Sequence, residues 1–305
     1  MCLCQLQKTD KAVMAPRGMN GSEEDVVGKS GWSRNASARK FSIDATKLMV
    51  AQVGHLGSDY DEWVHEPVMR KESSRIFESS VIEIITRCKW WMVPTVWGPV
   101  VVWCQVKAME QGLPTSALPV ALLVGFIFWT FLEYVIHRFL FNAKSSPAWR
   151  NQLHYVIHGF HLKHPMDADR LVFPPVHTAA IAMVIWKLME FVLTPTWMPS
   201  IFGGALFGYI CYDLTHYFLH LGIAFTDYLY KLKKDHFNHH FKSGMHRYGF
   251  GVTTSFWDAV FGTLPPAKDT QHKGSMIAGQ AMVESTSPAW NNGINCALNN
   301  NNSQE

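Results

Sequence analysis

The chain has 305 residues, of which 48% are hydrophobic and only 17% are charged, and its formal net charge at pH 7 is +3. So small a charge, carried by scattered basic residues, argues against nucleic-acid binding. The six cysteines form no CxxC pair and no framework spacing, which argues against a thiolate zinc site and a disulfide scaffold. The apolar residues are clustered in long runs, which is the pattern of a membrane protein.

Both ends of the chain are predicted to be disordered tails. Residues 1–45 combine Gly, Ser, Asn and Lys with an acidic run at 23–25, and they show no apolar periodicity. Residues 268–305 include the polar run 299–302. The part between the tails, 46–267, is predicted to form a single membrane domain.

Four apolar segments lie within this domain, at about 91–107, 116–136, 174–193 and 199–219. Each approaches the roughly 20 residues that a membrane-spanning helix needs. Lys187 and Glu190 lie near the end of the third segment, so a re-entrant hairpin with the fourth segment is the competing interpretation. The segments predict an all-α integral membrane protein with four transmembrane helices arranged as two hairpins.

Histidines are concentrated after the second and after the fourth of these segments. Because two crossings separate the two groups, both emerge on the same face of the membrane. The loop 138–173 is rich in basic residues and the connection 194–198 has none, so the positive-inside rule places the histidines and both termini in the cytosol. The sequence thus predicts a cytosolic helical cap that holds a histidine-rich site.

Eight histidines of these groups are candidate ligands of two metal ions: His137, His158, His161, His216, His220, His236, His239 and His240. Residues one, three or four positions apart can converge from one helical turn. Imidazoles gathered beside lipid repel when protonated and are costly without partners, so a pair of metal ions is the economical explanation. Histidines outside these groups, such as His55 and His246, are interpreted as helix caps or snorkelling groups.

The ligand set favours oxidation over hydrolysis. Neutral imidazole suits iron, zinc and copper, whereas hydrolytic zinc sites usually add a carboxylate, and the HExxH motif is absent. Hydroxylation of an unactivated C–H bond would need two iron ions, dioxygen and two external electrons. Because the chain has no dinucleotide-binding fingerprint, the electrons are expected from a partner protein.

Five stretches carry a recognisable pattern: EYVIHRFLFN (133–142), HYVIHGFHLKHPMDADRLVFPP (154–175), GYICYDLTHYFLH (208–220), KLKKDHFNHHF (231–241) and GFGVTTSFWDAVFGTLP (249–265). They resemble the fatty acid 2-hydroxylase family, which belongs to the membrane fatty acid hydroxylase and sterol desaturase superfamily. The stretch QVGHLGSDYDEWVHEP (52–67) is similar to the amphipathic lead-in of the plant-type members. The resemblance covers about 45–265.

This resemblance implies 2-hydroxylation of the N-acyl chain of ceramides in the endoplasmic reticulum. It implies electrons from cytochrome b5 and its NADH-dependent reductase, and because the HPGG signature of a fused cytochrome b5 domain is absent, the donor is expected to be a separate protein. Iron is expected in the working enzyme, and zinc in a purified sample is an accepted substitute at imidazole sites.

By position, the resemblance assigns the eight histidines above as metal ligands, but two positions depart from the family pattern. Asn142 and Leu162 stand where the family has histidines. An asparagine can ligate through its amide oxygen, so Asn142 is a further candidate ligand, whereas leucine cannot ligate. These departures leave open a catalytically silent homologue with a lipid-binding or regulatory role. A sterol or carotenoid oxidase of the same superfamily, which would act on a different substrate, is a further alternative.

The resemblance also implies a substrate-binding region. Tyr209, Tyr212 and Asp213 are expected to line the approach to the metals and to position the ceramide head group, with His65 joining them from the lead-in. Simple helix capping by Asp213 and interfacial anchoring by the tyrosines are the alternatives. A basic cytosolic patch is a candidate docking surface for an acidic cytochrome, or merely positive-inside flanking: Lys231, Lys233, Lys234, Lys242 and Arg247.

Overall fold

The computed structural model describes residues 41, 43, 48–68, 75–77, 79–142 and 147–266. Within these residues all regular secondary structure is helical and no strand occurs, which confirms the predicted all-α class. The predicted tails lie almost entirely outside the described residues. Phe41 and Ile43, near the end of the predicted N-terminal tail, are described and their side chains are buried.

Eleven α-helices occur among the described residues: α1 (Met49–Val53), α2 (Tyr60–Val64), α3 (Ser80–Ile85), α4 (Met92–Glu110), α5 (Leu118–Val135), α6 (Ala148–His154), α7 (Phe160–Lys163), α8 (Pro175–Val192), α9 (Met198–Leu221), α10 (Asp227–Phe241) and α11 (Phe256–Val260). Short 3-10 turns span Gly54–Asp59 and Thr115–Ala117. Two π-helical turns, Ile136–Phe141 and Tyr155–Gly159, follow α5 and α6. Such wide turns often occur at functional sites, and here each carries a candidate ligand histidine.

The four longest helices, α4, α5, α8 and α9, coincide with the four apolar segments. Two stretches, Thr115–Phe141 and Pro175–Val192, are long and apolar enough to cross a membrane by length and composition. Three of the helices, α5, α8 and α9, have a proline at their first or second position, where the missing N–H removes no hydrogen bond. Two candidate spans suit a membrane protein, and the four-helix arrangement stays a prediction.

Helix α9 is the central element of the bundle and packs mainly against α5 and α4. Small residues allow the backbones of α5 and α9 to approach closely. A Cβ atom at Gly125 would collide with the carbonyl of Ile201, and one at Gly204 would collide with the backbone of Leu122. Close backbone approach through glycine is typical of helix pairs in membranes. It fixes α9, which carries His216 and His220, against α5.

The lead-in, residues 52–67, packs against the segment that follows α6. Trp63 and Val64 are buried in one apolar cluster with Tyr155 and Phe160. The ammonium group of Lys163 donates hydrogen bonds to the carbonyls of Trp63 (2.7 Å) and Glu66 (2.6 Å), and it lies 4.4 Å from the centroid of a Trp63 ring. The lead-in is therefore part of the packed fold around the histidines.

Candidate metal centre

Five buried histidines converge from three separate elements. His161 follows the second π-turn, His216 and His220 lie at the end of α9, and His236 and His240 lie on α10. One ring nitrogen of each lies within 4.8 Å of one ring nitrogen of every other. The Nε2 atoms of His161 and His216 are 3.0 Å apart, those of His161 and His240 are 3.3 Å apart, and those of His220 and His236 are 2.7 Å apart.

Ring nitrogens this close to one another can share a cation. Metal–nitrogen bonds of about 2.0–2.1 Å in a tetrahedral arrangement place two ligand nitrogens about 3.3 Å apart. Neutral imidazoles provide one lone pair each, and a bound cation accepts several lone pairs that point to one place. The residues of this five-histidine group therefore fit a metal ion.

His137, His158 and His239 form a second group beside the first. The ring centroid of His137 lies 4.8 Å from that of His239 and 5.4 Å from that of His158. The Nε2 atoms of His137 and His158 are buried and have no hydrogen-bond partner among the described residues. Because a buried, unpaired polar atom costs about 1–3 kcal/mol, these two nitrogens make the second group a candidate for a second cation.

Backbone carbonyls fix the orientation of two of these rings. His137 donates a hydrogen bond from Nδ1 to the carbonyl of Phe250 (2.6 Å), and His239 donates from Nδ1 to the carbonyl of Tyr248 (2.9 Å). With the proton on Nδ1, Nε2 of each ring keeps its lone pair. This is the usual way in which proteins set the tautomer of a metal-binding histidine.

The buried imidazoles are held in their neutral form. Burial first, and then the charges of neighbouring histidines, hold the pKa of the following residues well below the usual value for histidine: His158, His161, His236, His239 and His240. A neutral ring has the lone pair that a metal ion needs, whereas a protonated ring has none. The cluster is therefore ready to bind cations near neutral pH.

Metal removal is expected to destabilise the protein. A ligand that binds only the folded chain stabilises it, and the stabilisation grows with the ratio of free ligand to Kd. Stripping the purified protein with a chelator should therefore lower the midpoint of thermal unfolding, and added Zn²⁺ should restore it. Added Mg²⁺, which prefers oxygen ligands, is the control and should not restore it. An unchanged midpoint after stripping would contradict a metal centre.

Two buried carboxylates hold the loop that orients His137. Glu133 accepts hydrogen bonds from the N–H of Val252 (2.7 Å) and from the N–H (2.9 Å) and hydroxyl (2.6 Å) of Thr253. Asp258 accepts from the N–H groups of Phe250 (3.0 Å) and Gly251 (2.8 Å). No sequence motif assigns a role to either carboxylate, although an acidic residue inside an apolar segment, as Glu133 is, is a usable signal.

Among the predicted substrate residues on α9, Tyr212 contacts the five-histidine group, and Asp213 and Tyr209 are joined by a hydrogen bond. The carboxylate of Asp213 accepts hydrogen bonds from the N–H of Phe173 (3.0 and 3.2 Å) and from the hydroxyl of Tyr209 (3.1 Å). The ring of Tyr212 is nearly parallel to that of His216, with centroids 6.0 Å apart. Asp213 thus ties α9 to the segment that precedes α8 and does not cap its own helix.

His65 and Asn142 both contact His246, which in turn contacts His239 of the second histidine group. The ring centroids of His65 and His246 are 3.9 Å apart, and the side-chain amide of Asn142 donates to the His246 carbonyl (3.0 Å). His246 in turn donates from Nδ1 to the carbonyl of His239 (2.6 Å), in the last turn of α10. This is a helix-capping contact of the kind expected for His246.

Lys233 does not belong to the exposed basic patch. Its side chain is buried, it donates to the carbonyl of Gly222 after α9 (2.6 Å), and it lies 5.4 Å from the ring centroid of Phe237. Burial lowers the pKa of Lys233 to about 8. Its role is to hold α10 against the end of α9, which the charge pattern alone could not reveal.

Leu162 points away from the metal centre, into the core beneath the lead-in. It is buried in the apolar cluster that contains Val53, Trp63, Tyr155 and Phe160. The chain therefore uses this position for packing, where a leucine is stabilised by burial and an imidazole would need a partner.

Replacing Leu162 by histidine is expected to destabilise the protein without adding a ligand. The loss of apolar burial and the unpaired ring nitrogens should lower the free energy of unfolding by roughly 2 kcal/mol or more. Thermal unfolding and Zn²⁺ content check this, with Leu153→His, at an exposed site on α6, as the control. A rise in bound metal or in activity in Leu162→His would show that this position faces the ions.

Comparison with known proteins bears directly on this site. A family model described as fatty acid hydroxylase matches residues 122–263, which include all eight histidines. The chain is 47% identical to a dihydroceramide fatty acyl 2-hydroxylase of Arabidopsis thaliana over 231 residues, which are 76% of this chain and 97% of that protein. This chain belongs to the fatty acid 2-hydroxylase family. The resemblance seen in the sequence is thereby confirmed.

Further fatty acid 2-hydroxylases match the same region. The human fatty acid 2-hydroxylase is 40% identical over 250 residues, which are 75% of this chain and 66% of the human protein. A solved structure of full-length scs7p, in which only the hydroxylase domain is visible, superposes with a TM-score of 0.70. That structure is 34% identical in sequence and covers 81% of this chain and 94% of its own. The fold described here is thus that of a fatty acid 2-hydroxylase domain.

Proposed function

We propose that this protein hydroxylates C2 of the N-acyl chain of ceramides. The observation that carries the proposal is the convergence of eight histidines in a chain that matches a dihydroceramide fatty acyl 2-hydroxylase over 97% of that protein's length. Each turnover would consume one O₂, two electrons and two protons. One oxygen atom would enter the acyl chain as a hydroxyl group and the other would leave as water.

Two metal ions, with iron as the proposed working metal, would bind at the two histidine groups. His161, His216, His220, His236 and His240 would hold one ion, and His137, His158 and His239 would hold the other, with Asn142 as a further candidate ligand. Bound iron supplies the oxidising power that an unactivated C–H bond requires. The metal identity is a proposal that rests on the all-imidazole ligand set and the family.

The protein's own contribution is positioning and the exclusion of water. All eight candidate ligands are buried, so the reaction would take place away from bulk solvent. The choice of C2 would follow from where the carbonyl end of the acyl chain is held. Tyr209, Tyr212 and Asp213 are proposed to position the head group, because Tyr212 contacts His216 and Asp213 is bonded to Tyr209 on the same helix, with His65 contributing from the lead-in.

The proposed location is the endoplasmic reticulum membrane, with four crossings and with the histidines and both termini in the cytosol. The extensive burial of α9 within the bundle supports a membrane-embedded helix that makes little contact with lipid. By contrast, Phe191 and Val192 at the end of α8 are 88% and 82% exposed, as lipid-facing residues would be. We propose 46–267 as the hydroxylase domain.

A separate cytochrome b5 and its NADH-dependent reductase are the proposed electron donors. Lys231, Lys234, Lys242 and Arg247 remain as the proposed basic docking patch, because Lys233 is buried. Such a patch would act mainly on the association rate and its dependence on salt.

The first experiment expresses this chain in yeast deleted for its own ceramide hydroxylase and measures ceramides and sterols by mass spectrometry, with expression verified by blot. The appearance of 2-hydroxyacyl ceramides is the expected result. Altered sterols with unchanged ceramides would instead favour a sterol oxidase. Good expression with no new product would favour a catalytically silent homologue, the alternative to which Leu162 and Asn142 point.

A further inference from the structure

His154 lies among the candidate ligands, yet both of its ring nitrogens are already occupied by the protein. Its Nε2 lies 2.6 Å from the carbonyl of Phe141, and its Nδ1 lies 2.7 Å from the hydroxyl of Tyr60. A carbonyl oxygen can only accept, so Nε2 carries the proton and Nδ1 accepts from the Tyr60 hydroxyl. No nitrogen of His154 is left for a metal ion, which separates it from the eight candidate ligands.

Hydrogen bonds link Tyr60 to His154 and His154 to Phe141, and this relay ends at a residue whose ring contacts the second histidine group. Phe141 is the last residue of the first π-turn, and its ring lies parallel to that of His158, with centroids 4.6 Å apart and an angle of 7°. The same ring meets His137 edge-on at 6.0 Å. The carbonyl that His154 holds and the ring that supports His158 therefore belong to one residue.

The lead-in is fitted closely to this relay. Tyr60 is almost completely buried and belongs to the apolar cluster beneath the lead-in. A Cβ atom at Gly159, the residue after His158, would collide with the Tyr60 hydroxyl. The side-chain amide of Asn151 donates to the carbonyl of Gly57 (3.0 Å), which adds a second tie between the lead-in and α6. The position of Tyr60 is thus defined from several sides.

We propose that Tyr60 and His154 are positioning residues for the second metal ion. By holding Phe141, they fix the imidazole of His158, so the group formed by His137, His158 and His239 is complete only when the lead-in is docked. The ion at the five-histidine group does not depend on this relay. The inference rests on the proposed function only in assuming that both groups bind metal.

The experiment measures Zn²⁺ binding in competition with a colorimetric chelator, using the full chain in detergent after metal has been stripped. Wild-type protein should bind two ions per chain. Tyr60→Phe removes only the hydroxyl group and should weaken one of the two ions about tenfold, within the range found when a residue that orients a ligand is changed. The matched control is Tyr228→Phe, which removes an exposed hydroxyl that donates to the carbonyl of Thr253 (3.0 Å).

Two variants of His154 test the role of its hydrogen bonds. A glutamine amide can donate to the Phe141 carbonyl and accept from Tyr60, so His154→Gln should retain most of the affinity that His154→Ala loses. Gly159→Ala should act like Tyr60→Phe, because the added methyl group displaces the Tyr60 hydroxyl. Unfolding midpoints are measured in parallel, so a general loss of structure is recognised by weaker binding of both ions.

Wild-type affinity for both ions in Tyr60→Phe and His154→Ala would overturn the proposal, as would equal weakening of both ions. So would a wild-type protein that binds only one ion. This readout is independent of the reaction. Selective loss of one ion in a protein that makes no hydroxylated ceramide would therefore support the relay while contradicting the proposed activity.

Discussion

Replacement of His220 by alanine is expected to abolish formation of the 2-hydroxylated product. His220 is fully buried at the end of α9, and its Nε2 lies 2.7 Å from that of His236. Removing the ring deletes one candidate ligand from the five-histidine group and leaves Nε2 of His236 without the nitrogen that lies 2.7 Å from it. Product in the yeast assay should fall at least about 100-fold, since loss of a residue that merely orients a ligand already costs 10–100-fold.

The control for this substitution is His55→Ala, which removes an imidazole from an exposed position in the lead-in. Its product level and metal content should equal those of the wild type. Zn²⁺ content of purified His220→Ala should fall by one ion per chain, with the second group still occupied. Normal product from His220→Ala at wild-type expression would rule out the five-histidine group as the reactive centre.

Asp258→Asn is expected to produce the second-largest effect, on both stability and activity. The carboxylate of Asp258 is completely buried and accepts hydrogen bonds from the N–H groups of Phe250 and Gly251 and from the hydroxyl of Thr263. An asparagine presents one oxygen and one NH₂ group, so one backbone N–H would face another donor. The free energy of unfolding should fall by about 3 kcal/mol.

The loss of activity would follow from the position of one carbonyl group. Phe250 accepts the Nδ1 proton of His137, so a displaced loop would misorient that ring. Product should fall about tenfold or more, and the unfolding midpoint by roughly 6–12 °C. Asp59→Asn, at an exposed position, is the control and should change neither. If Asp258→Asn loses stability but keeps full activity, the position of this loop does not determine the orientation of His137.

Much of the architecture could be predicted from local patterns. The four apolar segments coincide with α4, α5, α8 and α9, because a run of about 20 apolar residues has few stable arrangements other than a helix. The eight histidines were identified from their spacing and from the family motifs, and the structure brings all eight into one buried region. Spacing along a helix is a local property, so it can be read directly from the sequence.

Other features depended on contacts between distant segments. Leu162 is adjacent to His161 in sequence, yet one side chain joins the core beneath the lead-in and the other joins the five-histidine group. Lys233, predicted as part of a basic surface, is buried against the end of α9. Adjacent helical positions point in different directions, and only the packing of other elements decides what each side chain meets.

The helical class, the membrane character, the family and the eight candidate ligands follow from local sequence, since apolar run length, residue spacing and motifs are properties of short stretches. The tertiary structure decided how the histidines divide into two groups, which carbonyls orient them, and that His154 is held by Tyr60 and Phe141. Tyr60 and His154 are 94 residues apart. The partner of a buried polar group is set by the three-dimensional packing that excludes water from it, and no local pattern specifies that packing.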